Sequence, residues 1–321
     1  MDFDLSEDER ALADGMRRLC QGRFPLARLR AGEGDRLLDR AAWAELAGAG
    51  VFSLRAPEAS GGAALGMAQA AVVFEELGRA LVAGPLVASH LAAGLVEGAA
   101  DGEVVVGVVR RGGPSRPALV AHLESLGALL VLDDNGLYRV DPSSIDSRPV
   151  ERSVDPLTPL WQVVLPEGEA VADAAGAASF GRDHAVLSSA LLVGMASATL
   201  DMAVAYATTR EQFGRPIGAF QAVKHLCADM LVRADTARCA VWGAALTIDQ
   251  PDVGDGDRAA AGAALLAVEA ASANAKSCIQ VHGGMGFTWE VPAHLYLMRS
   301  RLVAESLEPT GALADTVAER F

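Results

Sequence analysis

The stretch YATTREQFGRPIGAFQAVKHLCADM, residues 206–230, decides the fold. Two helix-like runs meet at its FGRPIG turn, where glycine and proline punctuate the chain. Around that turn stand Arg210, Gln212 and Gln221, polar side chains with strong hydrogen-bonding heads and no place in a core. Taken alone, Arg210 reads as a C-terminal charge answering a helix dipole. The grouping of three raises the question of what they hold.

Working outward, the helical period fills most of the C-terminal half. It predicts a long helix from Asp183 to Arg210, a second from Ala219 to about Asp249 and a third from Arg258 to Val281, with QPDVGDGD as an acidic loop between the last two. Long helices joined by short turns make a bundle. Cys239, Trp242 and Cys278 read as its core, and Glu269 as a half-buried carboxylate reaching Lys276 or solvent.

Upstream, residues 101–178 change texture. EVVVGVV, ALLVLDDNGLYRV and LWQVVLP are strand-like, and Asn135-Gly136 signals a type I′ hairpin. The first hundred residues are helical again. Ser6 and Glu9 have capping-box spacing, LDRAAWAELAGAGV and MAQAAVVFEELGRAL carry helical periods, and Gly84-Pro85 breaks the chain before another short helix. The expected domains are thus 1–100 (helical), 101–178 (a small β-domain) and 179–321 (a helical bundle).

Composition narrows the function classes. Hydrophobic residues make up 51% of the 321, ample for a folded core. Apolar runs such as AVLSSALLVGMA are flanked by charge and read as buried bundle helices, so no membrane insertion is expected. The acidic N-terminus has no targeting pattern, which predicts a cytoplasmic protein. A net charge of −14 opposes binding to nucleic acid. Cys20, Cys227, Cys239 and Cys278 lack metal-ligand spacing, so buried free thiols are expected and no metal site.

A second stretch, SCIQVHGGMGFTWEVPAHLYLMR at residues 277–299, belongs with the first. A helix carrying Gln280 runs into Gly283-Gly284, where glycines let a bulky anion approach the backbone amides. It is neither a dinucleotide fingerprint nor a P-loop. Singly, these glycines read as the end of a helix in a tight turn.

Together the two stretches resemble the C-terminal signatures of the acyl-CoA dehydrogenases, and WAELAGAGVFSLRAPEASGGAALG and FEELGRAL resemble the N-terminal part of that family. The resemblance implies a mostly α architecture: an N-terminal helical domain, a shortened middle β-domain and a C-terminal four-helix bundle. It implies FAD as cofactor. Arg210, Gln212, Phe213 and Gln221 would contact its ADP half, and Gln280, Gly283 and Gly284 its pyrophosphate. In the family these groups reach the flavin of a neighbouring subunit, so a homo- or hetero-oligomer with another acyl-CoA dehydrogenase subunit is implied. The reaction implied is oxidation of an acyl-CoA thioester to the trans-2-enoyl-CoA, with electron-transferring flavoprotein as acceptor.

Two carboxylates are candidates for the base. The resemblance places Glu308, in MRSRLVAESLEPTGALAD, at the family's usual position and Thr310 at a flavin contact; locally, Glu308 also reads as a solvated carboxylate before a helix-starting proline. Pro309 and Ala312 depart from the family's glycine and polar residue. Asp183, in FGRDHAVLSSALL, is the alternative, since some members carry the base there; locally it reads as an N-cap. His184 stands where an arginine near the CoA is frequent. Residues 101–178 show neither the Thr-Glu-Pro and Gly-Ser pattern nor the Trp-Ser/Thr pattern that grip the flavin ring. Short chains of this family pair with a longer partner in bacterial steroid side-chain degradation, which makes a partner subunit the competing expectation.

Overall fold

The computed structural model describes residues 5–25, 38–112 and 118–320. In chain order its helices are α1 (Glu7–Arg23), α2 (Arg40–Gly48), α3 (Met67–Arg79), α4 (Leu86–Leu91), α5 (Ala174–Thr209), α6 (Gln221–Asp249), α7 (Gly256–His282), α8 (Ala293–Glu305) and α9 (Thr310–Glu319). The strands are β1 (Val106–Arg110), β2 (Ala118–Ala121), β3 (Ala128–Asp133), β4 (Gly136–Val140), β5 (Asp146–Pro149), β6 (Leu160–Val164), β7 (Glu169–Asp173), β8 (Glu211–Gln212) and β9 (Arg215–Pro216). The chain is mostly helical with a small sheet region, as expected. The described residues divide into two compact units, one of residues 5–25, 71–82 and 185–320, the other of residues 38–70, 83–112 and 118–184.

The second unit holds β1–β7. One sheet runs β1-β3-β4-β7, with β1 parallel to β3 and the other pairs antiparallel. A second sheet, β2-β6-β5, is antiparallel. Strand β3 is apolar and buried on both faces from Ala128 to Leu132, as a central strand must be. Its Leu130 and Leu132 pack with Val106, Leu137, Ala177 and Phe180. The expected hairpin joins β3 to β4, but Asp133 pairs with Gly136, so the turn is Asp134-Asn135 and not Asn135-Gly136. Neither turn residue has a positive φ, which excludes type I′. The Asp133 carboxylate instead accepts from the backbone of Asn135 at 2.9 Å and of Gly136 at 3.2 Å, an Asx turn that any L-residue tolerates.

The first unit is the bundle. The Ser6–Glu9 capping box opens α1 as read from the sequence. Residues of α3 lie against α5 so closely that a Cβ on Gly194 would stand 1.9 Å from the Glu75 carbonyl oxygen, and one on Gly78 would stand 2.1 Å from that of Leu191. Only glycine permits that crossing. Asn274 on α7 is fully buried; its amide donates to Ala196 O of α5 at 3.2 Å and Met230 O of α6 at 2.9 Å, while its oxygen accepts from Arg233. One side chain therefore sets the spacing of three helices. By length and composition α5 could cross a bilayer, yet 56% of its apolar window is buried in the protein.

Several helix limits differ from expectation. α5 begins at Ala174 rather than Asp183, because the Asp173 carboxylate accepts from Gly176 N at 2.9 Å and opens the helix earlier. α6 begins at Gln221, after a 3-10 turn at Ile217–Ala219. α7 begins at Gly256, capped by Asp255. Of the expected buried thiols only Cys20 and Cys278 are buried, since α6 turns Cys239 to solvent and leaves Cys227 half-buried. Trp242 is half-buried and Glu269 exposed.

Candidate functional site

The polar turn of the opening stretch is a small hairpin between α5 and α6. Arg210 N donates to Tyr206 O at 2.9 Å, and Ile217 N donates to Arg210 O at 2.8 Å, closing the hairpin's base. β8 pairs with β9, with Gln212 opposite Arg215. Between them Phe213 and Gly214 have φ of 54° and 75°, the left-handed pair of a type I′ turn. That conformation is costly for an aromatic residue. Phe213 nevertheless holds it while 91% exposed. Its ring meets Phe220 edge-on at 6.0 Å, and the Arg215 guanidinium lies 4.3 Å from the other ring's centre. Arg210, Gln212 and Gln221 are all exposed. Gln221 is the first residue of α6, whose N-terminus has no side-chain cap, so its amides keep the positive end of the helix dipole available.

The second stretch ends α7. Gly283 has φ 61° and ψ −137°, a region essentially restricted to glycine. A Cβ on Gly283 or Gly284 would meet nothing within 4 Å, whereas one on Gly286 would lie 2.5 Å from Ile279 O. The first two glycines therefore face open space and the third is packed. Gln280 is exposed beside them. So are Met285, Phe287 and Trp289.

Tyr206 and His282 bring the two stretches together. Their rings stack at 4.2 Å, and His282 Nδ1 lies 2.8 Å from Cys278 O. Beneath them Ala203, Ala207, Met230, Cys278, Ile279 and Val281 form one cluster, with Ile217 and Val223 packed on it. The hairpin and the glycine turn thus share an end of the bundle.

The C-terminal carboxylate, Glu308, is half-buried directly before Pro309, the N-cap of α9, and Thr310 is that helix's exposed first residue. α9 is tied to α7 at its far end, where Arg320 meets Asp255 and Asp257, both at 2.9 Å. The Asp255 carboxyl is held below the usual range by the backbone N–H of Arg258 and then by Arg320.

In the second unit Asp183 does not cap a helix. It lies well inside α5, 8% exposed, and its Oδ2 accepts from Arg55 Nη1 at 2.8 Å. Its Oδ1 is buried without a hydrogen-bond partner; the Arg182 Nε stands 3.9 Å away. Beside it His184 is buried, and burial, helped by the Arg110 charge, lowers its pKa to about 4. The imidazole is therefore neutral at physiological pH. Arg55 was invisible to sequence reasoning, although a lone arginine in the run GVFSLRAP is a cue that a buried partner awaits it. Among the described residues no three His, Cys, Asp or Glu side chains converge as a metal site would require.

Comparison with known proteins fits this arrangement. The acyl-CoA dehydrogenase N-terminal domain family matches residues 6–101, and the acyl-CoA dehydrogenase C-terminal domain family matches residues 181–309. Acyl-CoA dehydrogenase FadE34 of Mycobacterium tuberculosis is 38% identical over 305 residues, covering 87% of this chain, and the chain spans only 42% of that protein. Acyl-CoA dehydrogenase IpdE2 of Mycolicibacterium smegmatis is 34% identical over 276 residues, 81% of each chain. In fold, a chain of the ChsE4-ChsE5 complex from Mycobacterium tuberculosis matches with a TM-score of 0.85 at 23% identity, over 99% of this chain and 98% of that one. The chain belongs to the acyl-CoA dehydrogenase family, whose cofactor is FAD.

Proposed function

We propose that the chain serves FAD-dependent α,β-dehydrogenation of an acyl-CoA thioester to trans-2-enoyl-CoA, as one subunit of a cytoplasmic oligomer. The observation that carries this reading is the stacking of Tyr206 on His282, which sets an exposed Arg210, Gln212, Phe213 and Gln221 at the same bundle end as Gln280 and the open Gly283-Gly284 turn. The donor set fits the ADP half of FAD. An arginine fork and glycine amides suit phosphate, glutamines supply neutral donors, and Phe213 offers an apolar face. When bound, the flavin accepts the substrate's β-hydrogen as hydride. The chain's own contributions are to grip the dinucleotide, to place Thr310 beside the flavin, and to take the α-proton on a carboxylate, Glu308 or Asp183. Electrons then pass to an electron-transferring flavoprotein. In domain terms, residues 1–100, 101–178 and 179–321 would form the helical, β and bundle parts.

A second reading, that of a half-catalytic partner completing the FAD site of a longer paralogue, is supported by two observations. Residues 101–178 lack the ring-gripping patterns, and the fold matches that of a protein solved as a two-component complex. Purifying the chain alone and with a full-length paralogue, and recording flavin absorbance per chain, tests both. A chain that never takes up flavin in either state would sink the flavoenzyme reading.

A further inference from the structure

The Arg55–Asp183 pair joins two segments far apart in sequence inside the second unit. Asp183 gains nothing from being there as a helix former, since aspartate is a poor interior residue and the cap position is occupied upstream by Asp173. Its two oxygens are treated differently. Oδ2 accepts a charge-assisted bond from Arg55 at 2.8 Å, whereas Oδ1 is buried with no donor, the Arg182 Nε being 3.9 Å distant and beyond hydrogen-bond range. Folded proteins rarely leave a buried acceptor unsatisfied, and such a group calls for an explanation, a catalytic role among those that occur. The guanidinium fixes the carboxylate's rotation, so that the bare oxygen is always the same one.

We propose that Arg55 is a positioning residue for Asp183, holding Oδ2 so that Oδ1 is the oxygen that takes the α-proton of the acyl thioester. This rests on the dehydrogenation reading above and selects Asp183 between its two carboxylates. The step balances: the α-proton passes to Oδ1, the electron pair left on the α-carbon becomes the new carbon–carbon π bond, and the β-hydrogen departs with its pair to oxidised flavin. The neighbouring His184 is buried and kept neutral by that burial and the Arg110 charge, and Asp183 Oδ1 is the carboxylate oxygen beside it without a hydrogen-bond partner.

The test uses the flavin-loaded oligomer and two readouts. Exchange of the substrate's α-proton with deuterated water reports the base directly, and the infrared carboxylate stretch isolated as wild type minus Asp183→Asn reports the bonding of this side chain without any turnover. Asp183→Asn is expected to slow exchange by roughly a hundredfold or more. Arg55→Met should lower kcat about tenfold with KM nearly unchanged, as for a misplaced base, and should displace the infrared band while the helical circular dichroism holds. Arg55→Lys should recover part of both. If Arg55→Met does not fold, the double variant Arg55→Met/Asp183→Asn removes both charges, and the Arg55→Lys band decides. Exchange at the wild-type rate in Asp183→Asn, or a band unmoved by either Arg55 substitution, overturns the proposal. A wild-type oligomer that holds flavin but exchanges no acyl-CoA α-proton overturns the dehydrogenation reading and the proposal with it, even where the band still reports the Arg55 contact.

Discussion

Tyr206 lies on His282 with ring centres 4.2 Å apart and planes 24° from parallel, joining the last turns of α5 to the end of α7. The polar hairpin leaves α5 four residues after this tyrosine, and Gly283 follows the histidine directly. A cofactor held by both stretches therefore depends on that stack. Tyr206→Ala is expected to cost about 1–2 kcal/mol of stability and to weaken flavin binding by the assembled protein, whereas Tyr206→Phe keeps the ring and changes little. Flavin binding untouched in a destabilised Tyr206→Ala protein would show that the two stretches act separately.

Two glycines offer a sharper contrast. At Gly194 an added methyl would sit 1.9 Å from the backbone oxygen of Glu75, where nothing flexible can give way. Gly194→Ala should therefore destabilise by about 3 kcal/mol or more. At Gly284 the added methyl meets nothing within 4 Å. Gly284→Ala should leave the melting temperature in place and reduce flavin affinity, because it puts a methyl where a phosphate would approach. A Gly284→Ala protein with normal flavin content would remove that turn from the cofactor site.

Much of this was legible in the sequence, for local reasons. The capping box at Ser6–Glu9 is written in a short-range pattern that the structure keeps, and a hairpin does join β3 to β4, although its turn is Asp134-Asn135 and not the type I′ Asn135-Gly136 turn. What was not legible is long-range. The start of α5 was misplaced because Asp173 ends a strand and caps a helix at once, a double role that a periodicity reading splits wrongly. That error made Asp183 look like a cap. Its real partner, Arg55, is 128 residues away, and no spacing rule reaches that far. The exposure of Cys239 was missed because alternating small and apolar residues on α6 do not say which face is covered.

Acid should loosen the second unit through its histidines. His90 and His184 are both buried, and burial lowers each from 6.5 to about 4. In each case the unfolded chain takes up a proton at higher pH than the folded one. Their contribution is complete above about pH 6.5 and is lost as the pH falls toward 4, on the order of 3 kcal/mol for each histidine. Denaturant titrations between pH 4 and pH 7 should show stability falling with acid, and His184→Leu should remove about half of that slope. An unchanged slope would mean that His184 is protonated within the fold.

Arg210 is exposed at the head of the hairpin, and its backbone rather than its side chain closes the turn. Arg210→Ala should therefore lower FAD occupancy of the assembled protein while far-ultraviolet circular dichroism and melting temperature are preserved. The loss should shrink as ionic strength rises, since salt already screens the contact in the wild type. Loss of the helical signal instead would make Arg210 part of the fold.

Alone, the chain is expected not to hold FAD stoichiometrically. Its candidate ligands, Arg210, Gln212, Gln221, Gln280 and the Gly283-Gly284 turn, all suit the phosphate-bearing half of the cofactor, and all are exposed at one end of the bundle. The flavin ring needs strand-borne donors, and residues 101–178 lack the patterns that supply them. Half a site gives much less than half the binding free energy, because immobilising the cofactor costs roughly 4 kcal/mol or more however few contacts offset it. A longer partner would contribute the ring contacts, leaving one flavin per pair with this chain's glycine turn against the pyrophosphate. Gel filtration with absorbance at flavin and protein wavelengths decides the matter. A yellow homodimer carrying one FAD per chain would refute the expectation and place ring contacts among the strands β1–β7 that the sequence does not announce.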